Sequence, residues 1–233
     1  MITSIFFIII LFYSIVFHEI AHGYAAYRNG DMTAFNAGRL TLNPLRHIDM
    51  IGSIIVPIIS YFAFNFAFGW AKPVPYNPEN IKHKKYGELE VASAGIIINL
   101  FIAGLAILIF YILKGQFLIN SAVANILILT TTINLFLALF NLLPFPPADG
   151  FSIFSELFTH IRSFYVNIKN KFSKKKIYEA NYINNNPIRN KSFYIKSLFS
   201  NPFMMIVIIF VAVNVFSLLV PFVLSFINYL YSF

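Results

Sequence analysis

The sequence predicts an all-α polytopic membrane protein with about four to six transmembrane helices and a re-entrant or extended segment near residues 51–75. Hydrophobic residues make up 58% of the 233-residue chain and charged residues only 11%, which is more apolar surface than a soluble domain needs to fill its core. Four apolar runs are long enough to cross a bilayer, and clusters of basic residues lie between them. We therefore expect a single membrane-embedded domain, 1–233.

The four expected spans are residues 5–27, 91–113, 122–143 and 203–229. Each holds about 20 or more mostly apolar residues, the length that a helix needs to cross about 30 Å of hydrocarbon. The first run has no basic residues before it and no small-residue cleavage site, so we expect a retained helix and not a removed leader. Pro221, inside the last run, predicts a kink.

The segment 51–68 is apolar, but it contains Pro57, and Pro73 and Pro75 after it favour extended backbone over helix. Basic residues indicate its course. They cluster after the first span, before the second, and between 162 and 196, where nine of the 17 Lys and Arg fall. By the positive-inside rule all three clusters lie on the cytoplasmic side. This requires 51–68 to enter the membrane and return; the alternative is an ordinary span.

Composition also limits the chemistry. The chain has no cysteine, which excludes disulfides, thiolate metal sites and cysteine nucleophiles, so any metal must be held by His and carboxylate. The net charge of +8 is attributed to basic cytoplasmic loops and not to nucleic-acid binding. The stretch 155–200 is the main one, and we expect it to be a basic cytoplasmic loop with some amphipathic helix on anionic lipid.

A metal-binding pattern, His18-Glu19-Ile20-Ala21-His22, lies within the first span. Residues four apart share one face of a helix, so His18 and His22 can present two imidazoles to one metal, with Glu19 beside the open coordination position. Such a carboxylate can take a proton from zinc-bound water, whose pKa zinc lowers to about 7. The alternative is two interfacial histidines and a capping glutamate.

Asp149 is the candidate third ligand, since a catalytic zinc site usually has three protein ligands. It directly follows the third span, in a stretch without another charge between Lys114 and Glu156. If 51–68 returns to its own side, the ends of the first and third spans meet at one leaflet. Prolines at 144, 146 and 147 would then unwind the chain and aim Asp149 at the histidines. The alternative is an Asp-Gly turn at a helix end.

The other histidines, His47, His83 and His160, stand in hydrophilic, charged surroundings. We expect them to be solvated loop residues and not ligands.

Together these residues resemble the site-2 proteases, which are intramembrane zinc metalloproteases, and look most like the compact bacterial and archaeal members without a PDZ or CBS domain. The resemblance covers roughly residues 5–150, and stretches 38–44 and 69–75 are also similar to small members. The matching motifs, in order, are His18-Glu19-x-x-His22, Gly95-x-x-x-Asn99 and Asn141-x-x-Pro144-x-x-x-x-Asp149-Gly150. Family members often have Pro, Leu and Gly where this chain has Ile96, Ala148 and Phe151; none of these is a ligand or the base.

The resemblance implies a zinc-dependent intramembrane endopeptidase with its catalytic core in residues 5–150. One Zn²⁺ would be held by His18, His22 and Asp149, while Glu19 would serve as general base and then as proton donor to the leaving amine. Asn99 and Asn141 are implied to hydrogen-bond the substrate backbone or the developing oxyanion; the alternative is polar contact between helices.

The resemblance also implies a partner and a place. The substrate would be a transmembrane segment of another protein, cut near the cytoplasmic leaflet of a bacterial or archaeal cell membrane, with segment 69–75 adding to it as a strand. Two other functions stay open: an ion transporter that uses the intramembrane His and Glu, and a catalytically silent scaffold of the same fold.

Overall fold

The computed structural model describes residues 2–64, 69–82, 86–116, 118–145, 148–158, 161 and 202–232. The regular elements in these ranges are all helical. They are α1 (Ile2–Arg28), α2 (Thr33–Asn36), α3 (Val56–Phe64), α4 (Gly87–Gly115), α5 (Ser121–Leu142), α6 (149–158) and α7 (Pro202–Tyr231), with 3₁₀ turns at Pro44–His47 and Pro78–Asn80 and a π-helix at Met50–Ile55. The predicted all-α class is confirmed.

Three of these helices, α1 from Ile5 onward, α4 and α5, are long and apolar enough to cross a membrane. They contain most of the first three predicted spans. The fourth predicted span lies within α7, a 30-residue helix that continues through Pro221. Its C-terminal end packs on α5 and α4, where the Tyr231 hydroxyl lies 2.6 Å from Thr131 Oγ1 and the Tyr231 and Phe110 ring centroids are 4.4 Å apart.

The helices α1, α4 and α5 pack against one another and form the interior. Small residues on the buried face of α4, such as Ala92 and Ala103, allow the helix backbones to approach closely. Asn134 on α5 donates a hydrogen bond to Ser14 on α1 over 2.9 Å, and both residues are buried. The opposite face of α4 exposes large apolar side chains, including Phe101, as expected of a surface that contacts lipid.

The chain between α2 and α4 turns back on itself, so that residue 70 lies beside residues 52 and 53. Trp70 N–H donates to the Gly52 carbonyl over 3.0 Å, and Ser53 Oγ donates to the Trp70 carbonyl over 2.9 Å. The apolar helix between them, Met50–Phe62, is too short to span. Residues 65–68 lie outside the described ranges. The paired ends at residues 52 and 70 favour the predicted return over the ordinary span.

A buried carboxylate joins the end of α1 to the chain that follows this return. Asp31 is fully buried and accepts hydrogen bonds from Thr33 N–H, Asn77 N–H and Asn80 Nδ2 over 3.1, 2.7 and 2.8 Å. Burial raises the pKa of Asp31, but hydrogen bonds from Asn80, Thr33 and Asn77 outweigh it, so the pKa is lowered overall. The charged form of Asp31 therefore stabilises this junction.

Candidate metal centre

The helical spacing of His18 and His22 places their rings side by side on the face of α1 that packs on α4. Their Nε2 atoms are 3.1 Å apart. The side chains are only 8% and 13% exposed. Two imidazoles thus point their Nε2 atoms at one buried spot, as the motif predicts.

Asp149 completes a triangle with these two nitrogens. Its Oδ2 lies 3.1 Å from His18 Nε2 and 3.1 Å from His22 Nε2. Ligand atoms about 2.0–2.1 Å from a tetrahedral zinc ion stand about 3.3 Å from one another, so the edges of the triangle suit a metal. Oδ2 is also buried, with the two ring nitrogens as close polar neighbours. The donor set and its geometry fit zinc.

The ionised form of Asp149 is the one that can bind a cation. Burial raises the pKa of this carboxyl, but its interactions with His18 and His22 more than compensate and lower it to about 2. The carboxylate is therefore charged at neutral pH.

Local backbone geometry brings Asp149 back to the histidines. Helix α5 ends at Leu142, non-helical residues follow, and α6 begins at Asp149. Gly150 packs so tightly against the Leu142 carbonyl that a Cβ at 150 would overlap it, so α6 can start directly against the end of α5. The predicted break after α5 is present. Residues 146 and 147 lie outside the described ranges.

Helix α4 supports both histidines along a single face. His22 Nδ1 lies 2.7 Å from the Val91 carbonyl oxygen, and the Asn99 amide lies 3.1 Å from His18 Nδ1. Gly95 lies on α4 between Val91 and Asn99, one turn from each. A Cβ at this position would overlap the rings of both histidines. The outer nitrogen of each ring is thus engaged, which leaves both Nε2 atoms facing Asp149.

The carboxylate of Glu19 has a backbone partner. Its Oε2 accepts a hydrogen bond from Val74 N–H over 2.8 Å. Val74 belongs to the extended segment that follows the return at Trp70. The candidate base is therefore held by one oxygen, while the other is not engaged in this contact.

The asparagines that the resemblance implied in substrate binding differ in position. Asn99 is fully buried and contacts a candidate ligand, His18. Asn141 instead donates from Nδ2 to the Leu137 carbonyl of its own helix over 3.0 Å. Within the described ranges no hydrogen bond joins Asn141 to the three candidate ligands.

The expectation that His47 is a solvated loop residue is wrong. Its ring is fully buried, and Nε2 lies 2.9 Å from the Thr41 carbonyl. The charged neighbours in sequence gave no sign of this burial, and the His47 carbonyl also accepts a hydrogen bond from Lys72 N–H over 2.9 Å, 25 residues along the chain. His83 and His160 lie outside the described residues.

The sequence analysis named Gly95 within a motif but predicted no contact between it and the histidines, and it did not identify the backbone groups of Val91 and Val74 as parts of the site. The four-residue spacing of Val91, Gly95 and Asn99 was a readable signal, because it places all three on one helix face. The sequence carried no such signal for Val74, because every residue except proline has a backbone N–H.

Comparisons with known proteins indicate the family of the chain. Residues 110–179 match the family described as Peptidase family M50, and this stretch includes Asp149 but not His18. A Bacillus subtilis (strain 168) protein named "Putative zinc metalloprotease YwhC" is 37% identical over 155 residues, which are 64% of this chain and 68% of that protein. No solved structure matches the chain.

Proposed function

Because the chain belongs to peptidase family M50, the site-2 proteases, and is a zinc metalloendopeptidase of that type, we propose that it cleaves transmembrane segments of other proteins within the membrane. The observation that carries this proposal is the triangle of ligand atoms from His18, which is buried, and from His22 and Asp149, which are partly buried. Two of these residues, His18 and His22, belong to α1, which is long enough to span a bilayer. A peptide bond can reach them only by entering the same apolar surroundings.

His18, His22 and Asp149 would hold one zinc ion in this proposal. When bound, zinc polarises the scissile carbonyl and makes water a better nucleophile near neutral pH. Glu19, one residue from His18 on α1, takes the proton of the attacking water and returns it to the leaving amine. The hydrogen bond from Val74 N–H fixes one oxygen of Glu19 and leaves the other to accept that proton.

Asn99 would orient His18. A histidine that binds a metal through Nε2 carries its proton on Nδ1 and needs an acceptor there. Oδ1 of Asn99 is buried without a partner, and a half-turn of the amide brings this oxygen to His18 Nδ1. This assignment replaces an oxyanion role for Asn99, since its amide faces the outer nitrogen of the ring and not the metal side.

Segment 69–75 would receive the substrate as an added strand, since a helix must open before its peptide bonds can be attacked. The support is its extended backbone, paired through Trp70 and Lys72 with residues 52 and 47 along one edge. On the other edge, positions 71, 73 and 75 offer a single N–H group, that of Ala71, because 73 and 75 are prolines. The Pro73 carbonyl on this edge already accepts a hydrogen bond from Arg39. The added strand would be short.

We place the site near the cytoplasmic leaflet of a bacterial or archaeal cell membrane. His22 stands six residues before Arg28, which is about 9 Å of helix. Arg28 begins the first basic cluster, which belongs on the cytoplasmic side by the positive-inside rule. The partners would be the bilayer and transmembrane protein substrates. No nucleic acid is expected.

The two other functions have less support. An ion path explains buried His and Glu, but it does not require three ligand atoms at equal separations of 3.1 Å. A silent scaffold does not require an intact base beside an intact ligand set.

The test uses one scissile sequence in two contexts, in the transmembrane helix of a model substrate in vesicles and in a soluble peptide. We expect the zinc-loaded protein to cleave the helix and the Glu19→Gln variant to bind zinc without cleaving. Cleavage of the soluble peptide alone would contradict intramembrane proteolysis. Transport without cleavage would favour the ion path.

A further inference from the structure

Arg39 is a buried cation without an acidic partner in the part of the chain that the structure describes. It is only 7% exposed. Its Nη2 donates to the carbonyl oxygens of Lys72 and Pro73 over 2.7 and 3.3 Å. A buried guanidinium is costly unless hydrogen bonds compensate it; here backbone carbonyls of segment 69–75 compensate Nη2, while Nε is buried without a hydrogen-bond partner. Arg39 therefore holds that segment at one point.

The shorter of these hydrogen bonds is to the Lys72 carbonyl, and the longer one, over 3.3 Å, is to the Pro73 carbonyl of the peptide unit that contacts Glu19. The Pro73 carbonyl and the Val74 N–H belong to one planar peptide, and in a trans peptide these two groups point in opposite directions. Arg39 contacts the oxygen end, while the N–H end donates to Glu19 Oε2 over 2.8 Å. A cation at the carbonyl also polarises the peptide and strengthens its N–H as a donor.

The surrounding chain makes this peptide rigid. Pro73 has a fixed φ angle, and Pro75 restricts Val74 to extended conformations. The buried Val74 side chain packs on Gly23, where a Cβ would lie too close to Val74 Cγ1. Gly23 is one turn after Glu19 on α1, so the segment rests on the helix face that carries the base.

We propose that Arg39 is a positioning residue for Glu19 and acts through the peptide between Pro73 and Val74. This inference rests on the proposed role of Glu19 as general base. Arg39 itself contacts no reacting atom. It keeps the Val74 N–H directed at one carboxylate oxygen, so that the other oxygen stays aligned with the attacking water. Misplacement of a catalytic group by about 1 Å can cost roughly 100-fold in rate.

The experiment compares Arg39→Gln and Arg39→Lys with Arg46→Gln, a control at an exposed arginine of the same loop. Zinc content, Tm, kcat and KM are measured on purified protein with a transmembrane substrate. We expect Arg39→Gln to lower kcat by roughly 10-fold to 100-fold at unchanged KM and zinc content. Arg39→Lys should recover part of the rate, because an ammonium can donate to one of the two carbonyls. Arg46→Gln should match wild type.

A rise in KM at unchanged kcat would overturn the proposal, because Arg39 would then serve substrate binding. Loss of zinc or a large loss of Tm in both Arg39 variants would also overturn it, because the role would be structural.

A spectroscopic readout does not depend on turnover. The infrared difference between wild type and Glu19→Gln assigns the Glu19 carboxylate band. We expect this band to shift in Arg39→Gln and to stay in place in Arg46→Gln; an unshifted band in Arg39→Gln would overturn the proposal.

The two hypotheses can fail separately. If Glu19→Gln retains zinc and full kcat, the proposed function of Glu19 fails. If Glu19→Gln is inactive while Arg39→Gln keeps full kcat, only the positioning role of Arg39 fails.

Discussion

Gly95 on α4 faces His22 on α1 so closely that a methyl group at residue 95 would overlap the imidazole ring, and it would overlap the ring of His18 as well. The absence of a side chain at this position thus allows α4 to press on the candidate metal centre. Residues one turn on either side, Val91 and Asn99, engage the outer nitrogens of the two rings.

Replacing Gly95 by alanine should disturb both histidines at once. We expect Gly95→Ala to weaken zinc binding by roughly 10-fold to 100-fold, the usual cost of disturbing the support of a metal ligand. Competition with a chromogenic chelator measures it. Gly104→Ala on the same helix is the control, since nothing lies within 4 Å of a Cβ there, and it should bind zinc as wild type does. Equal zinc affinities for the two variants would contradict the close packing at Gly95.

Asn99 can be tested by changing its acceptor. In Asn99→Asp a carboxylate still accepts the His18 Nδ1 proton, so zinc affinity should persist, whereas Asn99→Leu removes the acceptor and should cost roughly 10-fold to 100-fold in zinc affinity. If Asn99 instead stabilised an oxyanion, both variants would keep zinc and lose roughly 100-fold to 1,000-fold in kcat. Zinc titration alongside kcat distinguishes the two roles.

Asp149 should be needed for metal binding before it is needed for cleavage. Asp149→Ala leaves two histidines, so we expect the variant to purify without stoichiometric zinc, as measured by atomic absorption. Glu88→Gln, at an exposed acidic residue in the first turn of α4, is the charge control and should retain one zinc per chain. Full zinc in Asp149→Ala would exclude Asp149 as a ligand.

Glu19 should be needed for cleavage and not for metal binding or folding. The amide oxygen of a glutamine can still accept the Val74 N–H, so Glu19→Gln should keep the zinc content and Tm of wild type. Loss of the general base should lower kcat by roughly 100-fold to 10,000-fold. Single-turnover cleavage of a labelled transmembrane substrate measures this, and a rate near that of wild type would exclude the proposed mechanism.

Acid should weaken the junction at Asp31. Its pKa is lowered from the usual 3.8 because hydrogen bonds outweigh the effect of burial, so the charged form stabilises the fold above about pH 4, and this contribution is lost as the pH falls through the lowered value. We expect Asp31→Asn to lower the Tm at pH 7, by an amount equivalent to about 1–3 kcal/mol in the free energy of unfolding. The Tm of this variant should also fall less between pH 5 and pH 3 than the Tm of wild type. Thermal unfolding in detergent measures both, and an unchanged Tm at pH 7 would contradict it.

Some features of the fold and of the candidate site could be predicted from the sequence, and others could not. Hydropathy located α1, α4 and α5, and helical periodicity placed His18 and His22 on one face. Charge clusters indicated that 51–68 turns back, which predicted Asp149 at the same end of the bundle as the two histidines, where the structure places it. His47 was misjudged, because the charges beside it in sequence do not reveal how the chain packs around its ring.

The sequence by itself determined the spans, the spacing of the two histidines and the candidate third ligand, because these follow from local periodicity and from the side of the membrane on which each loop lies. Only the tertiary structure decided that Asn99 contacts His18, that Gly95 admits the rings, and that the Val74 N–H reaches Glu19. The last contact joins residues 55 positions apart. Such contacts depend on how helices rotate and pack, and a backbone N–H carries no signature in the sequence.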